Sequence, residues 1–415
     1  MGRTKDKKGL TRRHFIKTTA ALGAVTGLSS LGFPAIIRAE PKEIIIGHIH
    51  PLSGFLAFDG TGMENGIKQA VEEINEAGGI KSMGGAKLKL LGADSEGKPD
   101  VAIREVERMV NAGAVAITGC YQSSTTLVAT QIAEKFGIPF VVSVAIADEI
   151  TSRGFKYTFR IQPNSEQMAS QAIKQLAELS QASGSPIKTI AYLHDNTAFG
   201  KPLSAHVAKF APEFGMEVIE DVEYSPKAAD LSTEIGKIKA AGADIVLSTG
   251  YFGDGVRVYK TMKNLRIKTK AIMGCASGAF SHPNFSKELG PIAENVMDGN
   301  YRANPLSPLT KKAFEGYQKK FGTEMGSGTV FSYQAAYVIA DAIERAGSTD
   351  RKAVRDALAS TNLENHILPQ GPIVFGPDGQ NINATAVITQ VQGGNVKVVW
   401  PDIYAESKPV FPVPE

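Results

Sequence analysis

Short apolar runs alternate with longer amphipathic segments along most of the chain. Residues 43–47, EIIIG, have the unbroken apolar character of a strand that is buried on both faces. Ile67, Val71 and Ile74 then recur at the spacing that places side chains on one face of a helix. Because the same alternation continues beyond the middle of the chain, it predicts βαβ units and an α/β fold with mainly parallel sheets.

One pattern at the end of a strand occurs a second time. Residues 111–114, NAGA, lead through a strand to TG at 118–119, and residues 241–243, AGA, lead through a strand to TG at 249–250. Polar and aromatic residues follow in both cases, CYQS after the first strand and YFGD after the second. The repeat predicts two similarly built α/β lobes, although so short a repeat also arises by coincidence.

No long linker rich in Pro, Gly or Ser separates the two halves, and the chain is long enough for two cores. The predicted crossing points lie at residues 160–163, 300–305 and 369–372. The first lobe then comprises residues 43–161 and 302–370, the second lobe comprises residues 162–301 and 371–405, and residues 406–415 form a tail. Because a chain that leaves a lobe and returns ties it at several points, this organisation favours hinge bending over independent tumbling.

Residues 1–39 differ in composition from the rest of the chain. The twin arginines Arg12 and Arg13 are followed by HFIK and a mildly apolar stretch that ends at Ile37. This order predicts a twin-arginine export signal, cleavage after Ala39 and a periplasmic location. The alternative, a membrane anchor, fits less well because four glycine or proline residues interrupt the apolar stretch.

The basic character of the chain belongs to this signal. Removal of residues 1–39 leaves 37 basic and 41 acidic residues, and a formal net charge of about −4 in place of +3. No basic stripe remains for a nucleic acid, so no nucleic-acid partner is predicted.

The residues that commonly form metal sites and catalytic motifs are sparse. Cys120 and Cys275 are the only cysteines, and two buried free thiols are favoured over a single bridge. His48 and His50 face the same side of the first strand, but no third ligand follows at a suitable spacing, so no metal is predicted. The chain has no G-x-S-x-G, H-E-x-x-H, C-x-x-C or P-loop motif. We therefore expect neither enzymatic activity nor a cofactor.

Residues 119–126, GCYQSSTT, lie between a buried strand and a helix. Ligands of parallel sheets bind beyond the carboxyl ends of the strands, and the N–H groups at the start of a helix attract anions. Ser123, Ser124 and Thr125 add hydroxyl donors, which favours a carboxylate ligand. The alternative is simple helix capping, but capping needs one hydroxyl and leaves the others available.

Several motifs in the same order resemble the branched-chain amino-acid-binding proteins of ABC importers. They are GIKQAVEEINEAGGI at 66–80, SSTT at 123–126, ITSRGF at 150–155, HD at 194–195, FG at 199–200, GY at 250–251 and MG at 273–274. The resemblance implies a two-lobed, hinged receptor with the type I periplasmic-binding-protein fold. Such a receptor closes on one small solute and delivers it to a membrane permease, and we expect it to be a monomer.

The resemblance also implies roles for particular residues. Ser123, neighbouring backbone and the residues near Ala145 and Ile146 are expected to hold the ligand carboxylate. Tyr251 corresponds to a tyrosine that approaches the ligand from the second lobe, and Phe199 to an aromatic residue of the pocket.

The chain departs from the family pattern where a glutamate usually pairs with the ligand ammonium. Cys275-Ala276-Ser277 occupies that turn, so an amino-acid ligand would lack its usual charged partner. Asp59 and Asp254 are the candidate acids to replace it. Phe58 and Tyr121, with the aromatic residues named above, make the predicted pocket apolar. We therefore expect a small hydrophobic carboxylate, with an amino acid as the alternative ligand and a ligand-sensing receptor module as the alternative role.

Overall fold

The structure, a computed structural model, describes residues 43–414. The predicted signal peptide, residues 1–39, lies outside the described residues. Among residues 43–414, no helix combines the length and the apolar character that are needed to span a membrane.

Five strands form the first sheet: β1 (Ile44–His50), β2 (Leu88–Asp94), β3 (Ala116–Gly119), β4 (Phe140–Val142) and β5 (Thr158–Arg160). They are all parallel and lie in the order β2-β1-β3-β4-β5. The connections contain helices α1 (Ala57–Glu76), α2 (Pro99–Asn111), α3 (Ser123–Lys135) and the short α4 (Glu149–Ser152).

Strand β1 shows how the sequence places helices on both faces of this sheet. Successive side chains of a strand point to opposite faces. Ile46 packs in the same core as Ile67 of α1, whereas Ile49 packs with Val106 of α2 on the other face. Both faces are therefore apolar, which explains the unbroken apolar runs.

The second sheet begins with β6 (Thr189–Asp195), β7 (Glu217–Tyr224), β8 (Ile245–Thr249), β9 (Ala271–Cys275) and β10 (Met297–Asn300). The associated helices are α5 (Ser165–Ala182), α6 (Gly200–Phe210), α7 (Ser232–Ala241), α8 (Phe252–Asn264) and α9 (Pro283–Leu289). Helix α5 starts with a capping box, in which Asn164 accepts from the backbone N–H of Gln167 and the Gln167 side chain accepts from the backbone N–H of Asn164.

The chain then returns to the first lobe and leaves it again. Helices α10 (Pro308–Phe321), α11 (Ser327–Ala346) and α12 (Arg351–Ala359) follow β10, and α11 packs against α1. Two short strands, β11 (Asn362–Leu363) and β12 (Ile373–Val374), pair with each other. Strands β13 (Val387–Gln392) and β14 (Asn395–Trp400) complete the second sheet in the order β14-β13-β10-β9-β8-β6-β7, and both are antiparallel to their neighbours.

This architecture confirms the predicted fold class, two α/β lobes with mainly parallel sheets. The segments between β5 and α5, between β10 and α10, and between β12 and β13 connect the parts of the chain that carry the two sheets. The residue boundaries given above for the lobes stay a prediction.

A substitution in helix α1 tests its close packing against α11. A Cβ atom on Gly66 would lie 2.5 Å from the backbone oxygen of Thr329, at the start of α11. Because a backbone atom cannot move aside without shifting its helix, Gly66→Ala should lower the free energy of unfolding by about 1–3 kcal/mol. Gly236→Ala is the matched control, since no atom lies within 4 Å of that position in helix α7. The control should raise the free energy of unfolding by about 0.5–1 kcal/mol. Urea denaturation measures both variants, and equal increases in their free energies of unfolding would contradict the close contact.

Candidate functional site

A cavity of about 370 Å³ lies at the carboxyl ends of strands from both sheets. Its volume is within the range of about 300–1,000 Å³ that is usual for small-molecule sites. The first lobe contributes the start of α1, the turn before α3, the loop after β4 and the segment that leads into α11. The second lobe contributes Phe199, Tyr251, residues 276–278, Ser281 and His282, and Asn300 and Tyr301 line the cavity where the chain leaves β10.

The turn between β3 and α3 presents unpaired backbone N–H groups. Helix α3 begins at Ser123, and no side chain caps it at Gln122. Within residues 43–414, the N–H groups of Ser123, Ser124 and Thr125 have no hydrogen-bond acceptor. The hydroxyls of this turn therefore do not act as helix caps, and the first turn of α3 is open to an anion.

Gly119 allows this turn to form at the end of β3. Its φ angle is +135°, and a Cβ atom there would lie 2.3 Å from the backbone oxygen of Ile49 in β1. A residue with a side chain would force the two strands apart. The glycine before CYQSSTT thus keeps the turn close to the sheet.

The loop after β4 has its carbonyl groups held from behind. Tyr301 donates its hydroxyl to the Val144 oxygen at 3.3 Å, and Gln162 donates its side-chain amide to the Ala145 oxygen at 2.9 Å. Ser165 donates to the Ile146 oxygen through its backbone N–H and its hydroxyl, at 2.8 and 2.9 Å. Because C=O and N–H point in opposite directions across a trans peptide, these bonds fix the directions of the N–H groups that follow.

Two of these N–H groups are available to a ligand. Ala145 and Ile146 both line the cavity, and neither of their N–H groups donates a hydrogen bond to another described residue. The next N–H, that of Ala147, donates to the Ser123 hydroxyl oxygen at 3.3 Å. Ser123 therefore keeps its own O–H as a donor, and the loop and the turn form one group of donors.

Aromatic side chains close the cavity from the opposite side. Tyr251 lies at the start of α8. Its ring centroid is 5.5 Å from that of Tyr121, 5.4 Å from that of Phe199 and 6.3 Å from that of Phe55. Tyr121 and Phe55 belong to the first lobe, so the cluster joins the two lobes. These distances are those of favourable aromatic pairs.

A second aromatic contact joins the lobes at the edge of the cavity. Phe58, in α1, lies with its ring centroid 4.9 Å from Phe252 and 5.2 Å from His282. About half of the Phe58 side chain, 47%, is exposed. The structure thus shows the two lobes in contact through aromatic rings on both sides of the site.

The charged groups at the cavity are acids. Asp59 and Glu324 line it, whereas no Lys or Arg does so among the described residues. Burial raises the pKa of Asp59 to about 7, against the opposing effect of a hydrogen bond from the Tyr121 hydroxyl. His282 is neutral at neutral pH because burial lowers its pKa to about 3. An anion at this site therefore meets N–H and O–H donors and no side-chain cation in the cavity wall.

The structure brings most of the sequence-predicted residues to the cavity wall. The residues that line it are Phe58, Asp59, Tyr121, Ser123, Ala145, Ile146, Phe199, Tyr251 and Ala276. Ser124, Thr125 and Asp254 are not part of the wall.

Asp254 lies in the interior of the second lobe and not at the cavity, where the sequence predicted it. Its carboxylate accepts from the Tyr224 hydroxyl at 2.6 Å and from the Tyr251 backbone N–H at 3.2 Å, and it is buried. Burial also raises its pKa to about 7. The acid thus holds the first turn of α8, where a helix favours negative charge.

The turn after β9 contains no acid that would take the place of the expected glutamate. Ala276 and Ser277 line the cavity, and Ala276 has a φ angle of +56°. The Ser277 hydroxyl accepts from the N–H groups of Ala279 and Phe280. Cys275 is a buried free thiol, as is Cys120 beside the α3 turn, and burial raises the pKa of each to about 12.

Sequence reasoning missed the part of the wall that comes from distant segments. The additional residues include Met63 and Asn65 of α1, Tyr317 of α10, Thr323, Glu324, residues 326–329, Ser281, His282, Asn300 and Tyr301. One signal was present in the sequence, since GSGT at 326–329 lies at the start of an apolar helix, as SSTT does.

His48 and His50 are both buried in β1. Burial lowers the pKa of His48 to about 4 and that of His50 well below its usual value. In the described part of the chain, no group of three His, Cys, Asp or Glu side chains is arranged to hold a metal ion.

Known proteins resemble this chain along nearly all of its length. Residues 43–395 match the periplasmic binding protein family. The Leu/Ile/Val-binding protein homolog 7 of Brucella abortus (strain 2308) is 29% identical over 391 residues, which cover 92% of this chain and 97% of that protein.

Solved structures have the same fold. A leucine-binding protein from Thermotoga maritima aligns with a TM-score of 0.74 at 22% identity, covering 86% of this chain and 97% of its own. A solute-binding protein of Rhodopseudomonas palustris BisB5, in complex with 3,4-dihydroxy benzoic acid, aligns with a TM-score of 0.73 at 22% identity, covering 85% and 95%.

The N-terminal segment also has known counterparts. Residues 9–29 match the signal sequence of the twin-arginine translocation pathway. This match confirms the predicted export signal.

The raised pKa of Asp59 predicts a pH dependence of stability. Between about pH 4 and pH 7 the folded protein keeps a proton that the unfolded chain loses, so this contribution to stability falls as the pH rises through that window. Asp59→Asn removes the effect. The difference between the thermal midpoints of the variant and the original protein should therefore increase in favour of the variant from pH 4 to pH 7. Above pH 7 this difference should stay constant. A constant offset over the whole range would contradict the raised pKa.

Proposed function

Because the chain belongs to the periplasmic binding protein family, we propose that it is the substrate-binding component of an ABC importer. It captures a small hydrophobic carboxylate in the cavity between its lobes and delivers it, as a monomer, to a membrane permease. The chain carries a twin-arginine signal and acts in the periplasm. Its family consists of binding proteins and not of enzymes. The sequence accordingly contains none of the catalytic motifs named above.

One observation carries the proposal for a carboxylate. The N–H groups of Ser123, Ala145 and Ile146 and the Ser123 hydroxyl come together at the cavity, and these N–H groups have no partner among residues 43–414. Unpaired donors at a helix start and a loop are suited to an anion whose oxygens accept several hydrogen bonds. The Ser123 Oγ of the turn lies 3.3 Å from the Ala147 nitrogen of the loop. Donors this close together suit the two oxygens of one carboxylate.

Apolar side chains from both lobes support a hydrophobic ligand. Phe199, Tyr251, Tyr121 and Ile146 offer apolar surface to the remainder of the ligand. Apolar walls with a few convergent polar groups are the usual composition of small-molecule sites. Two proteins of the same fold are named for ligands with a carboxylate and an apolar part. One is a leucine-binding protein, whose ligand is aliphatic, and the other was solved with the aromatic 3,4-dihydroxy benzoic acid.

An amino acid is the alternative ligand, and Asp59 is the residue that favours it. Asp59 is an acid of the cavity wall in the first lobe, whereas the turn at Ala276 in the second lobe has no acid. An ammonium group near Asp59 would favour the ionised carboxylate and lower its pKa from about 7. The Brucella relative is named as a Leu/Ile/Val-binding protein homolog.

Closure of the hinge gives the mechanism of capture. A ligand that binds first to the donors of the α3 turn gains contacts with Tyr251 and Phe199 only when the second lobe approaches. Those additional contacts shift the population towards the closed form. The aromatic pairs of Tyr251 with Tyr121 and Phe55 form in the same movement.

Thermal stabilisation by candidate ligands separates the two ligand classes. We expect isocaproate and benzoate to raise the thermal midpoint in proportion to the logarithm of their concentration, because a ligand of the folded state stabilises it. Leucine and valine are the amino-acid counterparts in the same screen, and isocaproamide is the uncharged control. A large shift with leucine or valine and none with the deaminated acids would contradict the preference for a simple carboxylate.

Tyr251→Ala should weaken binding several-fold or more in isothermal titration calorimetry with the best ligand of that screen. The variant loses the contacts that form only on closure. Tyr404→Ala is the control, because Tyr404 lies in the C-terminal segment and does not line the cavity. Unchanged affinity in Tyr251→Ala would show that the second-lobe face of the site has been assigned wrongly.

A further inference from the structure

If the chain captures carboxylates, as proposed above, the cavity wall lacks the cation that such a ligand usually meets. We propose that the buried guanidinium of Arg160, behind the loop of residues 144–147, is the positioning residue that gives the site its preference for anions. Arg160 does not touch the ligand in this arrangement. It acts through the peptide groups of the loop.

Arg160 is the largest fully buried side chain, at 0% exposure, and it is the last residue of β5. All of its hydrogen-bond acceptors are neutral. They are the side-chain oxygens of Gln380 at 2.6 Å and Thr151 at 2.9 Å, and the carbonyl oxygens of Ala147 at 2.6 Å and Ala145 at 3.4 Å. Within residues 43–414, no carboxylate forms a salt bridge with it.

The charge of Arg160 is therefore not neutralised by a direct partner. Asp148, Asp378 and Glu149 favour its charged form from a greater distance, but burial outweighs them and lowers its pKa to about 10. Asp148 is itself paired with His206, whose Nε2 lies 2.8 Å from its carboxylate. A buried cation without an adjacent anion is unfavourable, and it remains protonated at neutral pH.

The loop lies between this cation and the cavity. The carbonyl of Ala145 points back to Arg160, so the N–H of Ile146 in the same peptide points away from it. Ala145 and Ile146 line the cavity. The peptide dipole thus has its negative end at the guanidinium and its positive end at the candidate carboxylate position, and a bound anion would balance the buried charge.

Positioning of the loop alone does not require a cation. Gln162 and Ser165 hold the carbonyls of Ala145 and Ile146 with neutral donors at 2.8–2.9 Å. Neutral donors therefore suffice to orient peptides in this loop. The positive charge at Arg160 needs another explanation, and attraction of an anion supplies it.

Two variants test the charge in different ways. Arg160→Gln removes it, and Gln380→Glu places a carboxylate on the atom that already accepts from the Arg160 Nε. The measurement is the ratio of the dissociation constants of isocaproamide and isocaproate, or of benzamide and benzoate, by calorimetry. Both variants should reduce this preference for the acid at least tenfold. Gln380→Glu gives the buried arginine an ionic partner, so it tests the proposal even if Arg160→Gln does not fold. It also removes the amide donor to the Gln162 carbonyl at 2.8 Å. Gln380→Met removes the same donor without adding a charge and is the matched control.

The controls separate charge from structure. Lys352→Gln removes an exposed positive charge in α12, away from the cavity wall, and should leave the ratio within threefold of the original protein. Arg160→Lys, which keeps the buried charge, should do the same. If the original protein binds the acids and Gln380→Glu keeps the original ratio, Arg160 is only structural and the inference is wrong. If the original protein binds none of the acids, the proposed function fails, and the role of Arg160 fails with it.

Discussion

The fixed opposition of C=O and N–H in the peptides of residues 144–147 is the constraint on which the site depends. All three segments that connect the lobes act on this loop. Gln162 comes from the first segment and Tyr301 from the second, and Gln380, from the third, holds Arg160. The groups that connect the lobes therefore also set the directions of the donors that face the cavity.

The remainder of the site follows from the topology of the sheets. Parallel strands bring their carboxyl ends to one edge, and each lobe contributes the turns that follow those ends. The first lobe supplies polar backbone at the α3 turn, and the second lobe supplies Tyr251 and Phe199. Tyr251 also meets the first-lobe rings of Tyr121 and Phe55. Under the proposed function, the first lobe binds the polar head of the ligand and the second lobe covers its apolar part when the lobes meet.

Local patterns in the sequence were enough to predict the two α/β lobes and the turn at Ser123, because strand burial and helix starts depend on neighbouring residues. Ser124 and Thr125 could not be assigned in this way. Successive residues of a helix are rotated by about 100°, so adjacent hydroxyls cannot all face one cavity.

The other differences come from contacts that the sequence order hides. Asp254 is near Tyr251 in the chain, but the Tyr224 hydroxyl, from another strand, draws its carboxylate into the interior of the second lobe. Residues 326–329, at the start of α11, reach the wall because α11 packs against α1. Arg160 belongs to no motif, and its proposed role depends on groups from residues as distant as Gln380.

The two cysteines show a final consequence of this construction. Cys120 adjoins the α3 turn and Cys275 adjoins the turn at Ala276, and both thiols are fully buried and protonated. Disulfide exchange requires an exposed thiolate. Neither thiol therefore offers an accessible nucleophile to oxidants outside the cytoplasm, and we expect the two turns that border the cavity to remain without disulfides or adducts.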